Sequence, residues 1–227
     1  MNSTHYNIPK RETVHKWRDA ADEDFLFCLK FPQYISHRKD FFERHELIDR
    51  FITNIYEFDD KLGMSFIQFP PYAGPSYLEG IYRFLEFLPE DFKLAVELRH
   101  PDWFAGGSQL QEYYDVIENF NATPIITDVS GRRDVLHQMI VSDTVFIRFN
   151  GNDLHPTDYY RMDLWAATLI DWMKKGINKV YFFVHEPEKH LCATIATYLI
   201  ESLNSYKACS IKAPVLFNNQ KDLFADL

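Results

Sequence analysis

The chain has little cysteine, little glycine and no long apolar run. Its three cysteines are far apart in the sequence and match neither a disulfide framework nor a Cys-x-x-Cys zinc site. Its eight glycines form no Gly-x-Gly-x-x-Gly sequence after a predicted strand and no Walker-type loop, which disfavours a nucleotide-binding Rossmann fold. No apolar stretch approaches the roughly 18 residues that span a bilayer. Because the N-terminus also lacks a signal-peptide core, the sequence predicts a cytoplasmic protein without a membrane partner.

Positive charge is scarce as well. The formal net charge is −9 at pH 7, which argues against nonspecific nucleic-acid binding, because such binding needs Lys and Arg to neutralise phosphates. A local basic patch remains compatible with this balance. Aromatic residues, in contrast, make up 16% of the chain, so we expect some rings to line a groove. At 227 residues, we expect a single domain that spans 1–227.

Short apolar segments alternate with longer amphipathic ones along the chain. The apolar segments predict six strands, at 25–30, 64–69, 93–98, 124–128, 144–149 and 179–184. Longer segments carry apolar residues with a period near 3.6, which is typical of helices, at 38–58, 76–89, 110–120, 163–175 and 190–206. Strands that alternate with helices predict an α/β fold with a parallel sheet, either doubly wound or a (β/α) barrel. The missing Rossmann signature favours the barrel.

Every predicted strand has polar or charged residues at its carboxyl end. Glu97 is the most informative of them, because a carboxylate inside a buried strand is costly unless it is paired, hydrogen-bonded or catalytic. Barrels carry their chemistry at the carboxyl ends of strands, so this set predicts a pocket there. We expect Glu97 and Asp128 to be the catalytic residues, either of them as the acid or base, and to face each other across the barrel mouth. The predicted substrate-binding residues are Asn2, Lys30, Gln68, Arg99, His100, Trp103, Arg148, Asn150 and Tyr160.

These residues allow more than one function. The first is acid–base catalysis of the hydrolase or lyase type, without a cofactor, on a small anionic, phosphorylated or sugar-like substrate held by Lys30, Arg99 and Arg148. The alternative is that these charged residues have a structural role alone: Lys30 and Arg148 only neutralise Glu97 and Asp128 in an ion-pair network. The oligomeric state stays open.

Two further hypotheses need other arrangements of the same strand ends. Metal-dependent phosphodiester or sugar chemistry would place a divalent metal on Glu97, His100, Asp128, His185 and Glu186. Three nearby cations argue against that site, because they would repel a metal. A binding protein without turnover is the third hypothesis. Its nucleic-acid version would need one basic rim formed by Lys30, Arg38, Lys39, Arg99, Arg132, Arg133 and Arg148.

Several segments resemble the YecE-like family of proteins of unknown function. They are NSTHYNIP (2–9), FCLKFP (27–32), QFPP (68–71), ELRHPDW (97–103), Asp128 with GRRD (131–134), and FIRFNG (146–151). The resemblance covers nearly the whole chain and implies a TIM-like (β/α) barrel. It implies no reaction, because the family has no established activity.

This chain also departs from the family's pattern. Members usually begin with a Gly-Thr-Ser-Gly-Trp-like strand, a helix and a second strand that runs into the segment where this chain starts. We therefore expect a barrel with six visible strands that is N-terminally truncated or open. Many relatives carry asparagines where this chain has the sequence VHEP (184–187).

Overall fold

The computed structural model describes residues 3–207 and 209–214. Five parallel strands form one sheet in the order β1-β2-β3-β4-β5. The strands are β1 (Ser65–Gln68), β2 (Leu94–Glu97), β3 (Thr123–Val129), β4 (Thr144–Asn150) and β5 (Lys179–His185). The helices are α1 (Arg11–Asp19), α2 (Gln33–Ser36), α3 (His45–Ile55), α4 (Leu78–Phe87), α5 (Ser108–Asn119), α6 (Pro156–Lys174) and α7 (Leu191–Ser205). Within this part of the chain, no helix combines the length and the apolarity needed to cross a bilayer.

The sheet has five strands in the described chain, so the prediction of six strands is wrong in one segment. Residues 25–30 make only two isolated parallel bridges, Phe27 with Leu62 and Lys30 with Phe66. The two bridges are three positions apart on one side and four positions apart on the other, so the pairing has no continuous register. The segment still lies against β1, because the Phe66 N–H donates to the Leu29 carbonyl at 2.8 Å. The other five predicted strands are confirmed.

Helices α3 to α7 lie where the 3.6-residue apolar period predicts them. The start of helix α6 is also determined by its sequence. Pro156 occupies the first position, where a missing N–H costs nothing, and the His155 ring accepts a hydrogen bond from the Thr157 N–H at 3.3 Å. Its buried face, which includes Trp165 and Leu169, packs on the sheet. The connection between β3 and β4 contains no α-helix and only one 3₁₀ turn, at Arg133–Val135.

The sheet is strongly curled into a half-barrel. Phe66 on β1 and Phe183 on β5 lie four strands apart in the sheet, which would separate them by about 19 Å if the sheet were flat. Their ring centroids are 6.2 Å apart, and Phe146 on β4 touches both rings. Phe66 and Phe183 therefore lie on the concave face, and the helices cover the convex face.

Alternation along each strand decides which side chains reach the concave face. On each strand, the residue two positions after an aromatic or small apolar residue of the concave face points to the same face. This places Gln68, Glu97 and Arg148 on the concave face, near the carboxyl ends of their strands. The intervening residues, such as Ile147 and Phe149, pack against α6. The register aligns Thr127 with Arg148, so Thr127 also belongs to the concave face.

Candidate functional site

A continuous chain of polar contacts crosses the concave face at the carboxyl ends of the strands. The Lys30 Nζ donates to Gln68 Oε1 at 2.7 Å, and Gln68 Nε2 donates to Glu97 Oε2 at 2.8 Å. Arg148 forms a hydrogen-bonded ion pair with the same carboxylate oxygen. Lys30, Gln68 and Glu97 are buried, with Glu97 only 1% exposed. The structure thus joins four predicted site residues, three from strands of the sheet and Lys30 from the segment that lies against β1.

Positive charge exceeds negative charge in this cluster. Arg99 adds a second guanidinium, whose Nε lies 4.0 Å from Glu97 Oε1 and whose side chain is 41% exposed. Burial alone would raise the pKa of Glu97, but Arg148, the Gln68 amide and Arg99 outweigh burial, so that its pKa is lowered. Glu97 is therefore ionised at neutral pH, and one carboxylate faces Lys30, Arg99 and Arg148.

The same surroundings weaken the basicity of Lys30. Burial, together with the charges of Arg148 and Arg99, lowers its pKa to about 8, although Glu97 acts in the opposite direction. The position of Lys30 on the bridge to Phe66 explains its burial, since this bridge draws the side chain over the concave face. A lysine of this kind has a substantial neutral fraction near physiological pH.

Three histidines lie around these cations. His5 and His37 meet with ring centroids 5.6 Å apart. Burial and the charge of Lys30 lower the pKa of His5 to about 4 and also lower that of His37. His185, at the end of β5, has its pKa lowered by burial and by Arg148 and Lys189. These rings are neutral at pH 7 and leave the positive charge of the cluster to lysine and arginine.

Two buried polar atoms near the cluster lack a hydrogen-bond partner among the described residues. They are the Thr127 Oγ1 and the His5 Nδ1. Sequence reasoning missed both as site residues. Thr127 is next to Asp128, whose charge makes it the more obvious candidate, and His5 lies before the first predicted strand. His37 was missed as well, but it could have been found, because it closely follows the end of the predicted strand at Lys30.

Asp128 does not face Glu97, contrary to the sequence-based expectation. It lies on the convex face, where Arg161 Nη1 and Trp165 Nε1 of α6 donate to it at 2.9 and 2.8 Å. Arg133 pairs with the same carboxylate. The physical reason is register: Thr127, one residue earlier, occupies the concave position opposite Arg148. The structure therefore makes Asp128 an ion-pair partner between β3 and α6, through an arginine that the sequence analysis overlooked.

Two predicted substrate-binding residues after β2 have structural partners instead. Trp103 is 1% exposed, and its Nε1 donates to the Ala73 carbonyl at 2.8 Å. The His100 Nδ1 accepts from the Asp102 N–H at 3.1 Å and caps the short 3₁₀ turn at Pro101–Trp103. Neither contact belongs to the Lys30–Glu97 cluster.

The remaining predicted residues fall in three different places. The Asn150 carbonyl accepts from Arg161 Nη2 at 3.0 Å at the end of β4. Tyr160 is 63% exposed on α6. Asn2 lies outside the described residues.

The predicted metal-ligand set is not assembled. Across residues 3–207 and 209–214, no three His, Cys, Asp or Glu side chains come together in a way that could hold a metal ion. Asp128 lies on the opposite face from Glu97, and Glu186 is held elsewhere, because its Oε2 accepts from the Asp153 N–H at 2.9 Å. Burial raises the pKa of Glu186, and Gly151 packs so closely that an added Cβ would lie 2.0 Å from its Oε1.

The continuous basic rim required for nucleic-acid binding is broken by ion pairs. Arg38 pairs with Asp40, and Arg132 pairs with Asp134. Arg133 pairs with Asp128, as described above. Of the other rim residues, Lys30, Arg99 and Arg148 lie around Glu97, and Lys39 forms no ion pair within the described residues. This distribution concentrates the basic character at one small site rather than along a groove.

The fold and the site together define an α/β protein with a curled parallel sheet and a cationic cluster at the carboxyl ends of its strands. Residues 1–219 match the family described as "Protein of unknown function DUF72". The chain belongs to this family. The resemblance to YecE-like proteins is thereby confirmed.

Relatives and solved structures agree with this assignment. The chain is 29% identical to the UPF0759 protein YecE of Escherichia coli over 205 residues, which cover 82% of this chain and 75% of the relative. A DUF72 family protein from Enterococcus faecalis V583 has a similar fold, with a TM-score of 0.75, 18% identity and coverage of 93% of this chain and 85% of that one. A DUF72 family protein from Thermotoga maritima MSB8 matches with a TM-score of 0.64, 21% identity and coverage of 90% and 82%.

Proposed function

We propose that this protein is an enzyme that binds a small anionic substrate, phosphorylated or sugar-like, on the concave face of a TIM-like (β/α) barrel scaffold. The observation that carries the proposal is the excess of cations around one carboxylate. Lys30, Arg99 and Arg148 surround Glu97 in a chain whose net charge is −9. An anion would complete this balance, and arginine's planar fork suits the oxygens of a carboxylate or phosphate.

The position of the cluster supports an active site. Curled and doubly wound parallel sheets carry their ligands at the carboxyl ends of the strands, where these residues lie. The hydroxyl of Thr127, which has no hydrogen-bond partner in the part of the chain that the structure describes, offers a further hydrogen bond to a ligand on the same face. The exposed part of Arg99 gives an anion a first contact at the rim.

The proposed chemistry is acid–base catalysis of the hydrolase or lyase type. Because Glu97 is ionised, its catalytic role is to accept a proton and not to supply one. Its alternative role is to hold the guanidinium of Arg148 in place. Asp128 is committed to Arg161 and Trp165 on the other face, which leaves the neutral histidines as the second titratable group. Glu97→Gln should abolish turnover of a substrate while the protein stays folded.

A thermal-shift screen with small metabolites tests the proposal. Anionic compounds, inorganic phosphate included, should raise the melting temperature of the wild-type protein, while uncharged analogues should not. Arg99→Gln should remove most of this shift, because it removes the half-exposed guanidinium beside Glu97. Arg83→Gln is the matched control, since the exposed side chain of Arg83 pairs with the exposed side chain of Glu79 on α4. Equal shifts in both variants, or no shift with any anion, would contradict the proposal.

A further inference from the structure

Lys30 is an unusual amine because it is buried and yet lies on the concave face. The residue is 6% exposed, and within the described part of the chain its Nζ donates one side-chain hydrogen bond, to Gln68 Oε1 at 2.7 Å. Within residues 3–207 and 209–214 it forms no ion pair with a carboxylate, since Gln68 stands between Nζ and Glu97. An amide that accepts one hydrogen bond holds the amine in place without stabilising its charge as a carboxylate would.

Two conditions that activate a lysine as a nucleophile meet at this position. The amine is withdrawn from solvent, and it lies near other cations, Arg148 and Arg99. Both disfavour the ammonium form, and an attacking amine must be neutral. The pKa of about 8 agrees with this geometry, because an ordinary lysine has a value of 10.5.

We propose that Lys30 forms a Schiff base with a small carbonyl compound that carries an anionic group. This inference rests on the proposed function, because the same cations must hold the anion. The carboxylate or phosphate of the substrate would bind to Arg99 and Arg148, and its carbonyl carbon would reach Nζ. Glu97, joined to Lys30 through Gln68, keeps Arg148 oriented toward the anion.

The step balances without an oxidant or a reductant. The Lys30 ammonium first releases one proton, and the Nζ lone pair attacks the carbonyl carbon. The π electrons of the carbonyl move to oxygen, which takes a second proton from nitrogen to give a neutral carbinolamine. The nitrogen lone pair then expels the hydroxyl group, which leaves as water with the proton released at the start. The products are a protonated imine on Lys30 and one water molecule.

Reductive trapping tests this step. The full-length protein is incubated with pyruvate or with dihydroxyacetone phosphate, sodium borohydride is added, and the adduct is mapped by peptide mass spectrometry. The two compounds separate a carboxylate requirement from a phosphate requirement. We expect one adduct per chain, on the peptide that contains Lys30, and at least tenfold less trapping with acetone, which has no anionic group.

Matched variants make the test specific. Lys30→Arg keeps the positive charge but cannot form an imine, so it should lose the adduct, whereas Lys175→Arg replaces an exposed lysine paired with Asp171 and should keep it. Arg99→Gln retains Lys30 and should reduce trapping of the anionic compounds severalfold without changing that of acetone. The melting temperature of each variant shows that it is folded.

Three outcomes would overturn the inference. Adducts spread over several lysines, with the same yield in Lys30→Arg, would show that Lys30 has no special reactivity. If no adduct forms but anions still raise the melting temperature in a way that requires Arg99, the Schiff base is ruled out and the proposed anion site stands. An absence of both would remove the two together.

Discussion

The carboxylate of Glu97 lies between the Gln68 amide and the Arg148 guanidinium, withdrawn from water. A carboxylate in this position would be costly as an isolated charge, and its neighbours keep it ionised. The sequence could predict that Glu97 is special, because it interrupts an otherwise apolar strand. It could not tell which of the polar residues after the other strands reach Glu97.

Glu97→Gln should lower the free energy of unfolding at pH 7 on the order of 2–3 kcal/mol, because Arg148 loses its counter-charge in a mostly buried place. The folded-state pKa of Glu97 lies below its ordinary value of 4.5. Its charge therefore contributes stability above the unfolded-state pKa, and this contribution is lost as the pH falls through the folded-state pKa.

Urea denaturation between pH 7 and pH 3 checks this sign. The difference between the wild type and Glu97→Gln should shrink toward acid pH. Glu79→Gln, which alters an exposed glutamate paired with Arg83, should follow the wild type throughout. A difference that stays constant with pH would show that Glu97 contributes through its shape rather than its charge.

Strand β3 and helix α6 are joined by a buried ionic contact. Arg161 binds Asp128 at 2.9 Å and Asp158 at 2.7 Å, and its guanidinium lies 4.1 Å from the centre of the Phe149 ring. All three charged groups are withdrawn from solvent. This contact fixes α6 over the convex face while Thr127 and Arg148 point to the other side of the sheet.

Arg161→Met should destabilise the protein by about 3–5 kcal/mol, because it leaves Asp128 and Asp158 buried with less compensation. Arg132→Met is the matched control: Arg132 also pairs with an aspartate, Asp134, but both side chains are 48% exposed. It should leave stability nearly unchanged. Chemical denaturation of both variants measures the contrast, and equal losses would mean that burial of the ion pair is not what matters.

Local patterns predict the type of an element better than its pairing. Helices α3 to α7 follow from their apolar period, and five strands follow from their apolar runs. The segment at 25–30 has the same composition as a strand, but its mismatched spacing against β1 breaks the ladder. Asp128 and Thr127 are neighbours in the sequence, and only the register with β4 shows which of them faces Glu97. Register depends on contacts between distant segments, so it could not be deduced from one strand.

Curling of the sheet brings these separate strand ends into one site. Phe66, Phe146 and Phe183 fill the concave face and leave their polar neighbours at the carboxyl ends. The net charge of the whole chain is negative, so the chain as a whole repels anions. The cationic cluster is the local exception that attracts them. The proposed function depends on this contrast more than on any single residue.

The most direct test of whether the cluster around Glu97 binds anions is isothermal titration calorimetry with inorganic phosphate at low ionic strength. The wild-type protein is compared with Arg99→Gln and Arg83→Gln. We expect one site per chain, weakened at least tenfold by Arg99→Gln, on the order of 1.4 kcal/mol, and unchanged by Arg83→Gln. Binding that is absent, or equal in all three proteins, would contradict the assignment of this cluster as an anion site.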